Sequence, residues 1–395
     1  MKYINAKDCL PEELLEEIME YVEGTYIYIP KKEENKKQWG NETAFRREME
    51  LRNQKIYEHF LIGMPYGEIA EMYHLSEKSI RRIVLEERKK SEMEKIRVNE
   101  ILRNYGIEGE TKQIYTSAWD IDGEYVLKKY EDKNELINNI KMLKALGKEQ
   151  VPVPQIRKTV DEKDYVEGKN QYWLLTTKLK GSNIVNMSRC NDEWFVQMGK
   201  ILGELHQAFG RCENEIEYWN NSLLGEMESW VRDNLKKKKL DYLEQKDVDE
   251  AIEELRKNDG ELPRNLIHRD VHLGNFLFCQ GEFSGYIDFD LCQKNIRIFD
   301  LCYFLLGLLL EDEENYISED RWFEVLQYVV KGYNSVMKLS EAEKESIPVV
   351  MKNIELLFVA YFIGEEDEVA ARESAKLFYF VKENQEKIKK NLTFA

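Results

Sequence analysis

Apolar positions recur at helical spacing through the first ninety residues and at strand spacing through parts of the next ninety. Leu14, Leu15, Ile18, Met19 and Val22 fall on one face of a 3.6-residue period and predict a buried helical stripe. Pro11-Glu12-Glu13 opens that helix, with proline in the first turn and carboxylates at its positive end, and Gly24 closes it. Tyr26 to Pro30 reads as a short edge strand, because Pro30 has no N–H for a ladder. Ile56, Tyr57, Phe60 and Leu61 form a second stripe, which Gly63-Met64-Pro65 breaks. Tyr66 to Tyr73 predicts a short helix with Ile69 and Ala70 facing inward. His74-Leu75-Ser76 is its turn, and Ser76 caps a helix through Ile80, Ile83 and Val84. A small residue at 70, an apolar turn residue at 75 and Ile80 beyond it let two helices pack at a steep angle, as in a helix-turn-helix.

The pattern then changes. Asp122-Gly123 is a two-residue hairpin signal, and Glu124 to Tyr130 alternates as a strand. Val126 and Lys128 share one of its faces, Leu127 and Lys129 the other. Tyr172 to Gly181 predicts a strand running into a connection. From about residue 190 the chain is helical, interrupted by a strand-rich segment from His268 to Asp290. The expected organisation is multidomain: an α-helical helix-turn-helix domain over 1–92, then an α+β region with parts at 96–180 and 181–395.

Length and composition fit this division. A chain of 395 residues, 43% apolar and 34% charged, holds two or three folded domains. No apolar run reaches the roughly 18 residues that span a bilayer, and the first residues lack a signal-peptide pattern, so a cytoplasmic protein with no membrane partner is expected. Cys9, Cys190, Cys212, Cys279, Cys292 and Cys302 are scattered, which suggests neither zinc ligation nor a disulfide framework. The net charge of −17 excludes a protein that coats nucleic acid throughout. Residues 1–92, with about 16 basic and about 19 acidic side chains, carry little of that charge.

A small DNA-reading module therefore remains open. The second helix of the helix-turn-helix would expose Lys78, Ser79, Arg81 and Arg82, and its extension adds Arg88, Lys89 and Lys90. Such a helix can enter a major groove with its basic flank on phosphates. The plainer alternative is a helical bundle with a solvated basic face. Leu10 to Leu15, Tyr26 to Pro30, Arg52-Asn53 and Ile69-Ala70 to Ile83 resemble the Mor-type phage transcription activators. That resemblance implies a homodimer through the N-terminal domain and a two-fold duplex DNA site.

The densest chemistry lies in Leu266-Ile267-His268-Arg269-Asp270-Val271-His272-Leu273-Gly274-Asn275, followed by Tyr286-Ile287-Asp288-Phe289-Asp290. An H-x-D-x-x-x-x-N run, a hairpin and a strand ending in aspartate follow the order of a kinase catalytic loop and metal aspartate. Asp270 suits the carboxylate that orients an acceptor hydroxyl and takes its proton. Asn275 and Asp288 offer oxygen ligands to Mg2+. Ordinary loop polars in a hairpin would not combine these three spacings.

Residues 96–395 resemble the aminoglycoside phosphotransferases and choline kinases. The resemblance implies a two-lobed protein-kinase-like fold with ATP in the cleft. It also implies that Asp300 begins a helix and braces the catalytic loop, with His268 and His206 as further structural hydrogen-bonders. His272, between Asp270 and Asn275, is a candidate to face the phosphates. In the N-terminal lobe the resemblance aligns Lys128 with the lysine on the α- and β-phosphates. The loop with Ser117 would lie over them, and backbone groups from Thr177 to Leu179 would meet the adenine edge. The alignment departs at Asn139, where a glutamate partner for the lysine is expected; Glu135, one turn earlier, is the candidate substitute.

The acceptor site is the least legible. Glu311 to Glu314 and Glu365 to Glu368 are acidic, with Trp322, Tyr361 and Phe362 nearby, a set suited to a cationic small-molecule acceptor. Solvated charge and core aromatics are the alternative. Two functions follow: an ATP- and Mg-dependent small-molecule phosphotransferase with a DNA-binding regulatory module, or a nucleotide- or ligand-sensing domain without turnover that controls a DNA-binding regulator.

Overall fold

The computed structural model describes residues 52–392, apart from residues 58, 61, 62, 74, 184–186, 188, 189, 217, 218, 239 and 310–316. The helix expected from Pro11 and the strand expected at Tyr26 to Pro30 lie outside the described residues. The chain divides into two units, Met1–Lys95 and Ile96–Ala395.

In the first unit, helix α1 (Tyr66–Met72) is followed by a turn and by helix α2, which begins at Glu77. Ile56, Ile69, Ala70, Ile80, Ile83 and Val84 bury one another. The Leu75 amide donates to the Ala70 carbonyl at 3.0 Å, and Ser76 Oγ accepts from the Ser79 amide at 3.2 Å, so Ser76 caps α2. α2 runs on to Arg103, further than its first apolar stripe suggests. No glycine or proline interrupts residues 77–103, and Val98 and Leu102 are buried in the second unit.

There, five antiparallel strands form a sheet: β1 (Thr111–Tyr115), β2 (Ala118–Ile121), β3 (Tyr125–Tyr130), β4 (Val166–Gly168) and β5 (Gln171–Thr177). Their spatial order is β1-β2-β3-β5-β4. Trp119, Leu127, Trp173 and Leu175 cover one face and pack on Val98, Leu102 and Tyr105. The Tyr105 hydroxyl donates to the Trp173 carbonyl at 2.7 Å, which ties the helix end to the sheet. Helix α3 (Lys133–Lys148) follows β3, capped by Asp132, whose carboxylate accepts from the Asn134 amide at 2.6 Å.

The rest is largely helical. Helix α4 (Asp192–Cys212) precedes β6 (Trp219–Asn220) and helix α5 (Gln245–Asn258). Strand β7 (Arg264–Ile267) leads into the loop carrying Asp270. Strands β8 (Phe276–Cys279) and β9 (Glu282–Tyr286) form a hairpin, and β10 (Gln293–Ile296) returns antiparallel to β7. Helices α6 (Ile298–Gly307), α7 (Glu319–Val336), α8 (Glu341–Gly364), α9 (Glu368–Glu383) and α10 (Gln385–Leu392) complete the lobe. α8 has the length and apolar composition of a membrane span, yet most of it is buried within this lobe.

α4 and α7 cross at Gly199 and Gly332. A Cβ on Gly199 would stand 1.9 Å from the Val329 carbonyl oxygen, and one on Gly332 would stand 1.9 Å from that of Val196. Only glycine permits so close a backbone approach on both sides.

Candidate active site

The loop from His268 to Asn275 is fixed from beneath. Asp300, in the first turn of α6 and wholly buried, accepts from the backbone amides of His268 and Arg269, each at 2.8 Å. It also meets His206 Nε2 at 3.0 Å, and His206 Nδ1 lies 2.7 Å from the Tyr333 hydroxyl. A carboxylate accepting several N–H groups in a dry setting is a strong anchor. It holds Arg269 at φ +68°, a conformation that costs a side-chain-bearing residue roughly 1–2 kcal/mol. The Arg269 guanidinium makes a two-pronged ion pair with Glu226, at 2.9 and 3.0 Å. Glu226 was not singled out from the sequence, since nothing local to it signals a partner 43 residues on.

Asp270 emerges from this turn with both carboxylate oxygens engaged. Oδ1 accepts from the Tyr303 hydroxyl at 3.2 Å and Oδ2 from Asn275 Nδ2 at 3.0 Å. Burial pulls its pKa up, but His272, His268 and Asn275 outweigh that and hold the group below the usual carboxylate range. Asn275 Nδ2 also donates to the Asp270 carbonyl at 2.8 Å, so the amide is oriented through its nitrogen. The Ile287 amide donates to the Asn275 carbonyl at 3.1 Å and brings Asp288 alongside. Asp288 sits at φ +63°, with its side chain about half exposed.

His268 is buried; its Nε2–H donates to the Ile287 carbonyl at 3.3 Å, and its ring lies 4.9 Å from that of Phe289. Burial lowers its pKa, which favours the neutral ring of a structural residue. His272 turns toward Asp270, with Nε2 3.6 Å from Oδ2, and its Nδ1 accepts from the Gly274 amide at 3.0 Å.

Lys128 reaches this loop from β3. Its Nζ donates to Asp288 Oδ1 at 2.9 Å and pairs closely with Asp290 Oδ2. Burial opposes its charge, but Asp290 and Asp288 outweigh burial and raise its pKa. Glu135, the expected partner, makes no hydrogen bond or ion pair with Lys128 among the described residues, although the lysine's charge acts on it. Its pKa is raised by burial and by Asp132, Asp290 and Glu131, which already crowd that end of α3 with negative charge. Asn139 lies on the cleft side of α3 and donates its side-chain amide to Asp290 Oδ1; the Tyr130 hydroxyl donates to the same oxygen at 3.3 Å. Asp290 is thus a site residue that sequence reasoning missed. The sequence shows the two aspartates two residues apart, but the partners of Asp290 come from β3 and α3 and have no local signal.

Ser117 lies in the β1–β2 turn, and its carbonyl accepts from the Lys129 amide at 2.7 Å, which sets the turn beside Lys128. Thr177 and Leu179 flank the start of the lobe connection. The Thr177 amide donates to the Gln155 carbonyl at 2.8 Å, Thr177 Oγ1 accepts from the Gln155 amide at 2.9 Å, and the Lys178 amide donates to the Glu124 carbonyl at 2.7 Å. The backbone donors at 177 and 178 are therefore occupied within the protein.

On the opposite side, Tyr303, Phe358 and Phe362 form a stacked row, with ring centres 5.6 and 5.9 Å apart. All three are partly exposed, and Tyr361 beside Phe362 is 49% exposed. Trp322 does not belong there: it is wholly buried and donates to the Leu305 carbonyl at 2.8 Å. Glu365 to Glu368 form an exposed turn after α8 in which Asp367 caps α9, while residues 311–314 lie outside the described residues. In the first unit, Lys78, Arg81 and Arg82 are exposed on α2 and Ser79 is half-buried. The Arg81 guanidinium lies 4.3 Å over the Tyr66 ring and 3.4 Å from Glu77.

A five-stranded antiparallel sheet, a helical lobe, and a loop and hairpin carrying Asp270, Asn275 and Asp288 define a kinase-like phosphotransferase. Residues 106–342 match the phosphotransferase enzyme family, and the chain belongs to it. Residues 5–99 match the Mor transcription activator family. A homoserine kinase of Zymomonas mobilis is 25% identical over 279 residues, which cover 65% of this chain and 80% of that enzyme. The YraL protein of Bacillus subtilis is 39% identical over 84 residues, 21% of this chain and 97% of that protein. Among solved structures, the amicoumacin kinase hAmiN with AMP-PNP and Ca2+ covers 70% of this chain and 88% of its own, with a TM-score of 0.55 and 20% identity. An aminoglycoside phosphotransferase of Alicyclobacillus acidocaldarius covers 74% and 94%, with a TM-score of 0.54 and 15% identity. At such identities these two establish the fold alone.

Proposed function

We propose that the chain transfers the γ-phosphate of ATP to a hydroxyl of a small, amine-bearing acceptor, and that its N-terminal module binds duplex DNA. One observation carries the enzymatic reading: Lys128, Asp288, Asn275 and Asp270 converge from three separate elements. Asp270 orients the acceptor hydroxyl and takes its proton. Its position is set by Asn275 and Tyr303, and its low pKa keeps it ready as a carboxylate. Lys128 meets the phosphates, and the Ser117 turn covers them.

The donor set fits Mg2+. Asn275 spends its amide nitrogen on Asp270, which leaves its oxygen for a ligand, and Asp288 adds a carboxylate, so the donors are hard oxygens. Such a cation supplies charge neutralisation at the phosphate oxygens.

An amine-bearing acceptor is supported by the half-exposed aromatic row that begins at Tyr303, against Asp270, and ends near the acidic turn. Resemblance to homoserine kinases agrees with a small acceptor. DNA binding and dimerisation rest on the Mor-type match and the exposed basic face of α2. The sensing alternative drew on Asn139; with Asp290 beside Lys128, that departure no longer favours it.

The test is ADP release from Mg-ATP with a panel of amino alcohols, amino acids and aminoglycosides, with Asp270→Asn as control. Turnover stimulated by one acceptor and lost in the variant supports the reading. Nucleotide binding with no turnover for any acceptor overturns it in favour of sensing.

A further inference from the structure

We propose that Asp290 is the standing counter-ion of Lys128, in place of a helix glutamate, and that Asn139 and Tyr130 are the positioning residues that hold it. This rests on the reading of Lys128 as the phosphate-binding lysine.

Two carboxylates touch Lys128, and they are not equivalent. Asp288 is about half exposed, and among the described residues Lys128 is its one hydrogen-bonding side-chain partner. Asp288 is therefore the carboxylate that would be available to hold a divalent cation. Asp290 is already saturated on the lysine side. Its Oδ2 holds Lys128, and its Oδ1 receives both the Asn139 amide and the Tyr130 hydroxyl. A carboxylate with three donors is well placed to position a cation and poorly placed to ligate a metal.

Asn139 then has a definite role on α3. It is buried, at 7% exposure, and faces Asp290. A carboxylate at 139 would confront Asp290 at contact distance, with Glu135 adding to the repulsion. An amide at the same position donates instead. The negative charge beside the lysine stands on the segment after β9, and the residue on α3 is its donor.

The experiment measures ADP affinity by calorimetry in EDTA, with no metal, on the full chain. Asp290→Asn is expected to weaken metal-free ADP binding at least tenfold, and Asn139→Glu to weaken it as well. The double variant Asn139→Glu/Asp290→Asn restores a lysine–carboxylate pair and is expected to return to within threefold of wild type. Asp290→Glu and circular dichroism guard against misfolding. Unchanged ADP affinity in Asp290→Asn, simple additivity in the double variant, or a defect seen only with metal present would each overturn the proposal. Lys128→Met separates the two claims: if it leaves ADP binding intact, the phosphate role of Lys128 fails; if it abolishes binding while Asp290→Asn does not, only the counter-ion role fails.

Discussion

The Tyr303 hydroxyl donates to Asp270 Oδ1 at 3.2 Å, and Asp300, three residues before Tyr303 on the same helix, holds the backbone that leads into Asp270. One helix therefore fixes both the backbone and the carboxylate of the proposed base. Asp270→Asn keeps these contacts largely in place but removes the proton acceptor. Turnover is expected to fall by about 10²–10⁴-fold with nucleotide affinity preserved. Steady-state kinetics and calorimetry on one preparation check this.

Asp300→Ala removes the acceptor for two backbone amides and for His206. Buried donors left unsatisfied cost roughly 1–3 kcal/mol each. The variant is expected to lose several kcal/mol of stability in the kinase-like unit and most of its activity. Urea denaturation followed by tryptophan fluorescence reads the loss.

Glu355, buried on α8, gives a pH signature. Burial raises its carboxyl to about 8, a hydrogen bond from Ser374 lowers it only in part, and Oε2 has no hydrogen-bond partner among the described residues. Because the folded pKa lies above the unfolded one, its stabilising contribution is complete below about pH 4.5 and is lost as pH rises through about 8. Glu355→Gln is expected to remove that slope, so its melting temperature gains on wild type between about pH 5 and about pH 8. Parallel melting curves for the two proteins would disprove it.

Phe358→Ala interrupts the aromatic row between Tyr303 and Phe362. The acceptor KM is expected to rise about tenfold while the ATP KM stays within about twofold, given the roughly 0.5–2 kcal/mol typical of cation–aromatic contacts.

For the N-terminal unit, Arg81→Ala with Arg82→Ala is expected to weaken duplex binding. The dependence on log salt should flatten by roughly one unit for each phosphate that no longer meets an arginine. Fluorescence anisotropy across a salt series measures both, and no binding by wild type at low salt would end the DNA reading.

The grouping of Asp270, Asn275 and Asp288 was legible because it is written in local spacing: Asp270 and Asn275 are five residues apart, and Asp288 closes the next hairpin. The helix-turn-helix was legible for the same reason, through Ala70, Leu75 and Ile80. What escaped was non-local. Asp290 acquires its role only when β3 and α3 bring Lys128, Tyr130 and Asn139 to it, and Glu226 only when it meets Arg269. Trp322 read as an acceptor aromatic because its neighbours are acidic, but its indole N–H has a backbone partner inside the lobe. The length of α2 was underestimated because its second buried stripe, Val98 and Leu102, packs on a different core from its first.

The paired glycines where α4 meets α7 bear on how this lobe can change. With carbonyl oxygens where methyl groups would otherwise sit, neither helix can rotate or slip against the other without collision. The two form a keyed joint. New acceptor preferences are thus more accessible through α8 and the segments beside it than through this joint, and a mutant library that spares positions 199 and 332 should retain far more folded members than one that does not.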